Sequence, residues 1–424
     1  MKAGTIYALS TGSLPAGLAV IRISGPDAAM AHPRLTGQGL PEPRRATLVT
    51  LSVQENTVSL DEGLVLWFPG PASVSGEDVL EFHLHGGRAV VAAVLAELSG
   101  LPGFRPAEPG EFTRRAFENG KMDLTAVEGL ADLIEAETEA QRAQAYRQFQ
   151  GALGVLYNGW RERVLRALAH WQAAIDFSDE DIPESLERNA RKDIGVLARE
   201  IENHLKDGRR GERLRDGATI AIIGPPNAGK SSLLNRLAQR DAAIVSETAG
   251  TTRDVIEVHL DLGGYPALIA DTAGLRDSGD AVEKEGVRRA RERASHADLR
   301  IAVFDAATLP EIDPHTLDLV DADTLVVVNK ADLGLAIPDR IGGRPVIPLS
   351  ALTGAGFGAL LEGLTERVSR KCGLGESPVL TRERHRVALV DCRNALNRCL
   401  KAQAAEMACE DLRLAMRSLG VITG

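Results

Sequence analysis

The sequence predicts an α/β protein of several domains, and three observations carry that class. An apolar run at 218–223 leads into the glycine loop 224–229 and then into a helical pattern from Ser232, the strand–loop–helix order of a parallel-sheet unit. Helical periodicity flanks this region on both sides. Ahead of it, residues 1 to about 120 alternate short apolar runs with glycine and proline breaks, as in a mixed α/β domain.

In chain order, the runs at 16–25, 62–68 and 78–87 read as strands of a first domain, 1–120. The last contains His83 and His85, which alternation puts on one face. Two histidines without a third ligand read as hydrogen-bonded structural residues rather than a metal site. From 121 to 215 the pattern is helical: Leu124, Val127, Ala131 and Ile134 recur at i, i+3, i+7 and i+10, and Leu153, Leu156, Trp160 and Val164 continue it. The helical pattern returns over 376–424. Neither helical part closes a core alone. Residues 216–375 therefore read as a domain inserted into one helical domain, where motion in its loops could lever both flanks.

The inserted part carries the chemistry. Gly224-Pro225-Pro226-Asn227-Ala228-Gly229-Lys230-Ser231 fits the phosphate-loop pattern G-x-x-x-x-G-K-[ST], and Ser232 opens the following helix. Such a loop points backbone N–H groups and a helix N-terminus at phosphate oxygens. Lys230 is then expected at the β- and γ-phosphates and the Ser231 hydroxyl at Mg²⁺. Asn329-Lys330-Ala331-Asp332 follows the apolar run 325–328 and fits the guanine-reading pattern N-K-x-D. A carboxylate at Asp332 accepts from guanine N1–H and its exocyclic amine, and adenine offers no matching pair. Ser350, Ala351 and Leu352 close a further strand and are placed over the base. Between these motifs, Gly250-Thr251-Thr252-Arg253-Asp254 supplies Thr252 for Mg²⁺ and the γ-phosphate. Asp271-Thr272-Ala273-Gly274 supplies an acid for the Mg²⁺ shell and a glycine N–H for the γ-phosphate. Five motifs in this order define a Ras-like P-loop GTPase domain with a mainly parallel sheet and GTP as its substrate. Leu275 stands where Ras-like switches place a water-orienting glutamine, so another group must do that work. Glu283 and Glu285 are both candidates, and a solvated acidic helix start explains them equally well.

With 44% hydrophobic and 25% charged residues in 424, the composition is that of a globular protein of two or three domains. No apolar run reaches ~18 residues, and no signal or transit segment opens the chain, so a cytoplasmic protein away from membranes is expected. Cys372, Cys392, Cys399 and Cys409 have neither C-x-x-C spacing nor a histidine pattern, which excludes structural zinc and leaves buried thiols. The net charge of −10 does not advertise nucleic-acid binding. Two basic clusters do exist: Lys206, Arg209, Arg210, Arg213 and Arg215, and Arg367, Arg370, Lys371, Arg382, Arg384 and Arg386. They read equally as an RNA-backbone dock or as solvated linkers.

The chain resembles the MnmE (TrmE) family of bacterial tRNA-modification GTPases over essentially its whole length. The signatures are Val20-Ile21-Arg22-Ile23-Ser24-Gly25, Ser75-Gly76-Glu77-Asp78-Val79-Leu80-Glu81, His85-Gly86-Gly87, Pro225-Asn227-Ala228, Gly250 to Asp254, and the long run Arg105-Pro106-Ala107-Glu108-Pro109-Gly110-Glu111-Phe112-Thr113-Arg114-Arg115-Ala116-Phe117. The resemblance implies an N-terminal dimerising domain that binds 5-formyl-tetrahydrofolate or a related folate through Arg22, Glu81 and Lys121. It implies a homodimer that joins the flavoprotein MnmG (GidA) in a heterotetramer. The two would together place an aminomethyl or carboxymethylaminomethyl group at C5 of the wobble uridine of certain tRNAs. It further implies K⁺-dependent hydrolysis of GTP to GDP and phosphate, with Asn227, Ser246, Thr248 and Thr251 around the K⁺ ion, and it selects Glu283 as the water-activating glutamate. The family ends in Cys-Ile-Gly-Lys, whereas this sequence stops at Leu419-Gly420-Val421-Ile422-Thr423-Gly424. On that reading the polypeptide would hydrolyse GTP without modifying tRNA itself. The competing functions are a ribosome-assembly or scaffold GTPase, which would need an RNA module, and a stand-alone folate-dependent one-carbon transferase.

Overall fold

The computed structural model describes residues 4–53, 58–176, 184–239, 243–244, 257–270, 294–373, 375 and 378–424. The chain divides into two compact units, Met1–Val127 and Glu128–Gly424. The α/β multidomain class read from the sequence is what the elements build.

The first unit is a six-stranded sheet of β1 (Thr5–Leu9), β2 (Ala16–Ser24), β3 (Thr47–Val53), β4 (Val58–Phe68), β5 (Val79–Gly86) and β6 (Phe104–Pro106), in the order β3-β4-β5-β2-β1-β6. Every pair is antiparallel except β1–β6. Side chains alternate across the pleat. Ile21 and Ile23 of β2 and Leu80, Phe82 and Leu84 of β5 are buried, and they share a core with Val91, Val94 and Leu98 of the helix Arg88–Ser99. The same period sends Arg22, Glu81, His83 and His85 to the opposite face. Both histidines are hydrogen-bonded as expected, His83 Nε2 to Glu81 Oε2 at 3.2 Å and His85 Nδ1 to Asp61 Oδ1 at 2.8 Å.

In the second unit a seven-stranded sheet runs β12-β13-β11-β10-β7-β9-β8. The strands are β7 (Ala218–Ile223), β8 (Glu257–Leu262), β9 (Tyr265–Ala270), β10 (Leu299–Asp305), β11 (Thr324–Asn329), β12 (Arg340–Ile341) and β13 (Arg344–Pro348). The five central members pair in parallel, and only the edge strands β8 and β12 are antiparallel. All six residues of β11 are buried, which is why the sequence there is a continuous apolar run rather than an alternating one. A separate core is assembled from residues 153–201 and 380–422, on four helices, Ala152–Asp176, Glu184–Leu205, Glu383–Lys401 and Ala405–Thr423. Tyr157, Trp171, Leu389, Leu396 and Leu412 fill its centre. Cys392, Cys399 and Cys409 lie in this core and Cys372 in that of the sheet domain. Burial pushes the Cys392 thiol up to about 12 and those of Cys372 and Cys399 to about 11, so these are packing residues.

Most members of the two basic clusters pair with acids of the same chain. Asp132 accepts from Arg215 Nε at 3.0 Å and Arg382 Nη2 at 2.7 Å. Glu128 accepts from Arg384 Nε at 2.6 Å and His385 Nε2 at 2.9 Å. Arg386 reaches Asp207 and Glu212, both at 2.9 Å, and Arg213 pairs with Asp298. Arg370 and Lys371 pair with Glu366 and Asp323. Asp132, Glu128, Asp298 and Asp323 lie far from their basic partners in sequence, so charge counting along the chain could not find those pairs. Among the described residues no helix is long and apolar enough to cross a membrane.

Candidate functional site

The parallel strands end on one edge of the sheet, and the sequence-predicted residues gather there, as loops following parallel strands do. The loop after β7 enters the helix Lys230–Ala238, which starts two residues earlier than the sequence pattern suggests. Gly229 caps it at φ +94°, and a side chain there would strike Asn329 Nδ2. Asn227 sits at φ +60°, a left-handed position that asparagine tolerates better than other side-chain-bearing residues. Lys230 Nζ donates to the carbonyls of Gly224 at 2.9 Å and Pro225 at 2.8 Å, so the lysine lies across its own loop. Ala228 is buried, while Asn227, Ser231 and Ser232 are exposed at the mouth of the loop.

The base-reading segment is tied to this loop. Asn329, only 3% exposed, donates from Nδ2 to Ala228 O at 2.9 Å and accepts at Oδ1 from Ala351 N–H at 2.9 Å. It is a clamp between the phosphate loop and the Ser350–Ala351–Leu352 turn. Lys330 takes φ +65° and pairs its ammonium with Asp305 at the end of β10. Burial alone would raise the Asp305 carboxyl, but Lys330 and the Ala307 N–H outweigh it and hold the group below its ordinary range. Asp332 is exposed on the following turn, unencumbered by an ion pair among the described residues. Ser350 is fully buried, and its Oγ accepts from Thr353 N–H at 3.1 Å. Ser246, Thr248, Thr251, Thr252, Asp271, Thr272, Ala273, Gly274, Leu275, Glu283 and Glu285 lie outside the described residues.

In the N-terminal unit the register sets Arg22 directly opposite Glu81. Arg22 Nε donates to Glu81 Oε1 at 2.7 Å, and the Arg22 guanidinium stands 5.8 Å from the Phe112 ring centroid. Lys121 is exposed and donates to Pro71 O at 3.0 Å. The structure thus pairs two of the three expected folate residues with each other and holds the third by a separate carbonyl. Within the run 105–117, Arg105, Glu111 and Arg115 form an ion-pair network. Glu111 and Arg115, both 2% exposed, join at 3.1 Å; Arg105 reaches Glu111 at 2.8 Å, and Arg115 continues to Glu77 at 2.9 Å. Hydrogen bonds from Arg105, against the opposing cost of burial, and then from Glu108 N–H and Arg115 bring the Glu111 carboxyl down to about 2. Sequence reasoning gave Glu77, Glu111, Phe112 and Arg115 no role, because a motif shows identity without showing which members are buried. Among the described residues no group of three or more His, Cys, Asp or Glu side chains forms a metal site.

A glycine loop at the end of a buried parallel strand, clamped to an Asn-Lys-x-Asp turn, defines the class as a P-loop protein with a GTPase domain. Residues 5–121 match the family described as the GTP-binding protein TrmE N-terminus, and residues 124–424 match the MnmE helical domain. The tRNA modification GTPase MnmE of Paramagnetospirillum magneticum is 58% identical over 421 residues, which cover 99% of this chain and 95% of that one. The mitochondrial 5-taurinomethyluridine-[tRNA] synthase subunit GTPB3 of Danio rerio is 49% identical, covering 99% of this chain and 89% of that one. The solved G domain of the T. maritima FeoB iron transporter is 25% identical over 36% of this chain and 98% of its own, with a TM-score of 0.26. The chain belongs to the MnmE family.

Proposed function

We propose that this chain is a GTP hydrolase acting in tRNA modification, and that the Asn329 clamp is the observation that carries the nucleotide reading. The clamp fixes the turn bearing Asp332 relative to the loop bearing Lys230, so base and phosphates are held by one rigid piece. Ser231 at the helix start and Thr252 would hold Mg²⁺, with Asp271 in its shell. Bound Mg²⁺ and K⁺ would offset charge that develops on the phosphates. Asn227, Ser246, Thr248 and Thr251 form the K⁺ site in this reading, and Asn227 stands exposed at the loop mouth, where its amide oxygen can reach an ion. Glu283 orients the attacking water, because Leu275 cannot.

The same reading extends to the N-terminal unit. A folate one-carbon carrier is proposed on the Arg22–Glu81 face with Lys121, in a homodimer. The dimer acts in the cytoplasm with the flavoprotein MnmG on C5 of the wobble uridine. Arg22 supports this because its guanidinium is part-exposed beside an aromatic ring and suits a glutamyl carboxylate.

The test is GTP turnover in K⁺ against Na⁺, with and without MnmG. K⁺ should stimulate strongly. Asn227→Gly, which keeps the left-handed backbone, should abolish the K⁺ preference. Glu283→Ala should cut turnover with GTP affinity nearly unchanged. Equal turnover in both salts, or loss of turnover in Glu285→Ala but not in Glu283→Ala, would overturn these assignments.

A further inference from the structure

We infer that Arg236 is a positioning residue for the guanine base, acting through the turn 350–354. This rests on the nucleotide reading above and adds a residue to it. Arg236 lies on the phosphate-loop helix and points along it to the base-reading turn. Its Nη1 donates to Leu352 O and its Nη2 to Thr353 O, both at 3.0 Å. Two parallel bonds from one planar fork fix orientation as well as distance, which an ammonium cannot do. Gly354 makes room for the fork: a side chain there would fall onto the guanidinium, and its φ of +88° further favours glycine.

The turn needs such a tether. Leu352 is 79% exposed, so apolar packing does not hold the tip. Within the turn, Ser350 N–H bonds Ala355 O at 3.0 Å and Gly354 N–H bonds Ser350 O at 2.8 Å, but these fix only its internal shape. Its base is anchored by the buried Leu349 and Ser350 and by the bonds of Leu349 to Val328 and Ala331, while the tip beyond Ser350 is tied to the rest of the domain by Asn329 at Ala351 and by Arg236 at Leu352 and Thr353. Both tethers lead to the phosphate-binding element, one to its loop and one to its helix. Arg236 touches no nucleotide atom in this scheme. It sets where the wall over the base stands.

The experiment measures dissociation of fluorescent GDP and of the matching inosine diphosphate from the full chain, for wild type, R236A and R236K, together with each apo protein's melting temperature. Inosine lacks the exocyclic amine that Asp332 reads but keeps the N1–H, so the ratio of the two rates reports the contact of Asp332 with that amine. R236A should release both nucleotides about three- to tenfold faster, the range for two partly solvated hydrogen bonds from a charged donor, with the ratio and the melting temperature unchanged. R236K, which can satisfy one carbonyl at a time, should fall between, and it reads the same effect should R236A fail to fold. Unchanged release in both variants would overturn the inference, as would a collapse of the ratio, which would show Arg236 acting on Asp332. Wild type that binds neither nucleotide would instead defeat the nucleotide reading itself.

Discussion

Replacing Glu128 by Gln tests the ion-pair joint that the basic clusters form. The Glu128 side chain is 14% exposed, accepts hydrogen bonds from Arg384 and His385, and has the Arg382 guanidinium as an ion-pair neighbour at 3.3 Å. Burial would raise its carboxyl; the bonds from His385 and Arg384 and their charges win, and hold it at about 2 against an ordinary 4.5. The folded state therefore binds fewer protons than the unfolded chain between those values. Its contribution is complete above about pH 4.5 and is lost as pH falls toward about 2. At neutral pH the displacement corresponds to about 3 kcal/mol. Glutamine keeps the shape, but it turns an amide nitrogen toward a cationic donor. Arg384 retains the carbonyls of Val421 at 2.9 Å and Ile422 at 3.2 Å, so it is not stranded, and the cost should stay near 2–3 kcal/mol. Urea unfolding followed by tryptophan fluorescence suits the measurement, because Trp160 and Trp171 both lie in the helical core. The variant should lose stability at pH 7, and the gap from wild type should shrink by more than half by about pH 3. An equal loss at both pH values, or none at pH 7, would refute the assignment of that stability to the ionised carboxylate.

Two further outcomes follow from the sites. Asp332→Asn should weaken GTP binding by roughly 2–4 kcal/mol and gain xanthosine triphosphate, because an amide donates where the carboxylate accepted. Unchanged GTP affinity would remove Asp332 from the base site. Arg22→Ala should abolish folate binding while leaving GTP turnover intact, and wild-type folate binding should track the dimer in sedimentation; tight binding by a monomer would contradict the proposed two-chain site.

The nucleotide domain was legible because its chemistry forces residue types onto fixed positions. Gly229 must admit Asn329, and Asn227 must adopt a left-handed backbone, so the loop's sequence is nearly its geometry. Buried parallel strands likewise announce themselves as unbroken apolar runs, as β11 does. What stayed hidden were contacts from side chains to distant backbone or distant acids. Arg236 binds carbonyls, which every residue owns, so no pattern marks its target. The pairing of Arg22 with Glu81 needed the register of β2 on β5, and periodicity gives faces without giving register.

The two ends of the seven-stranded sheet divide the work, with the glycine loop and the Asn-Lys-x-Asp turn at one and shared ion pairs near the other. The C-terminal ends of β7, β10 and β11 carry Gly224, Asp305 and Asn329. Close to the opposite ends the chain enters through Arg213 and Arg215 and leaves toward Arg382 and Arg384. Asp298, just before β10, accepts from Thr219 N–H and Oγ1 at 3.0 Å and pairs with Arg213, so entry segment, β7 and β10 share one carboxylate. Asp132 joins entry and exit in the same way through Arg215 and Arg382. An apolar joint of this size would have to bury both connecting segments and leave their backbone groups without water. Charged pairs let the segments stay part-hydrated while their geometry is fixed by carboxylates shared between them. The carboxylates of Asp298 and Asp132 thus hold together the segments that enter and leave the seven-stranded sheet.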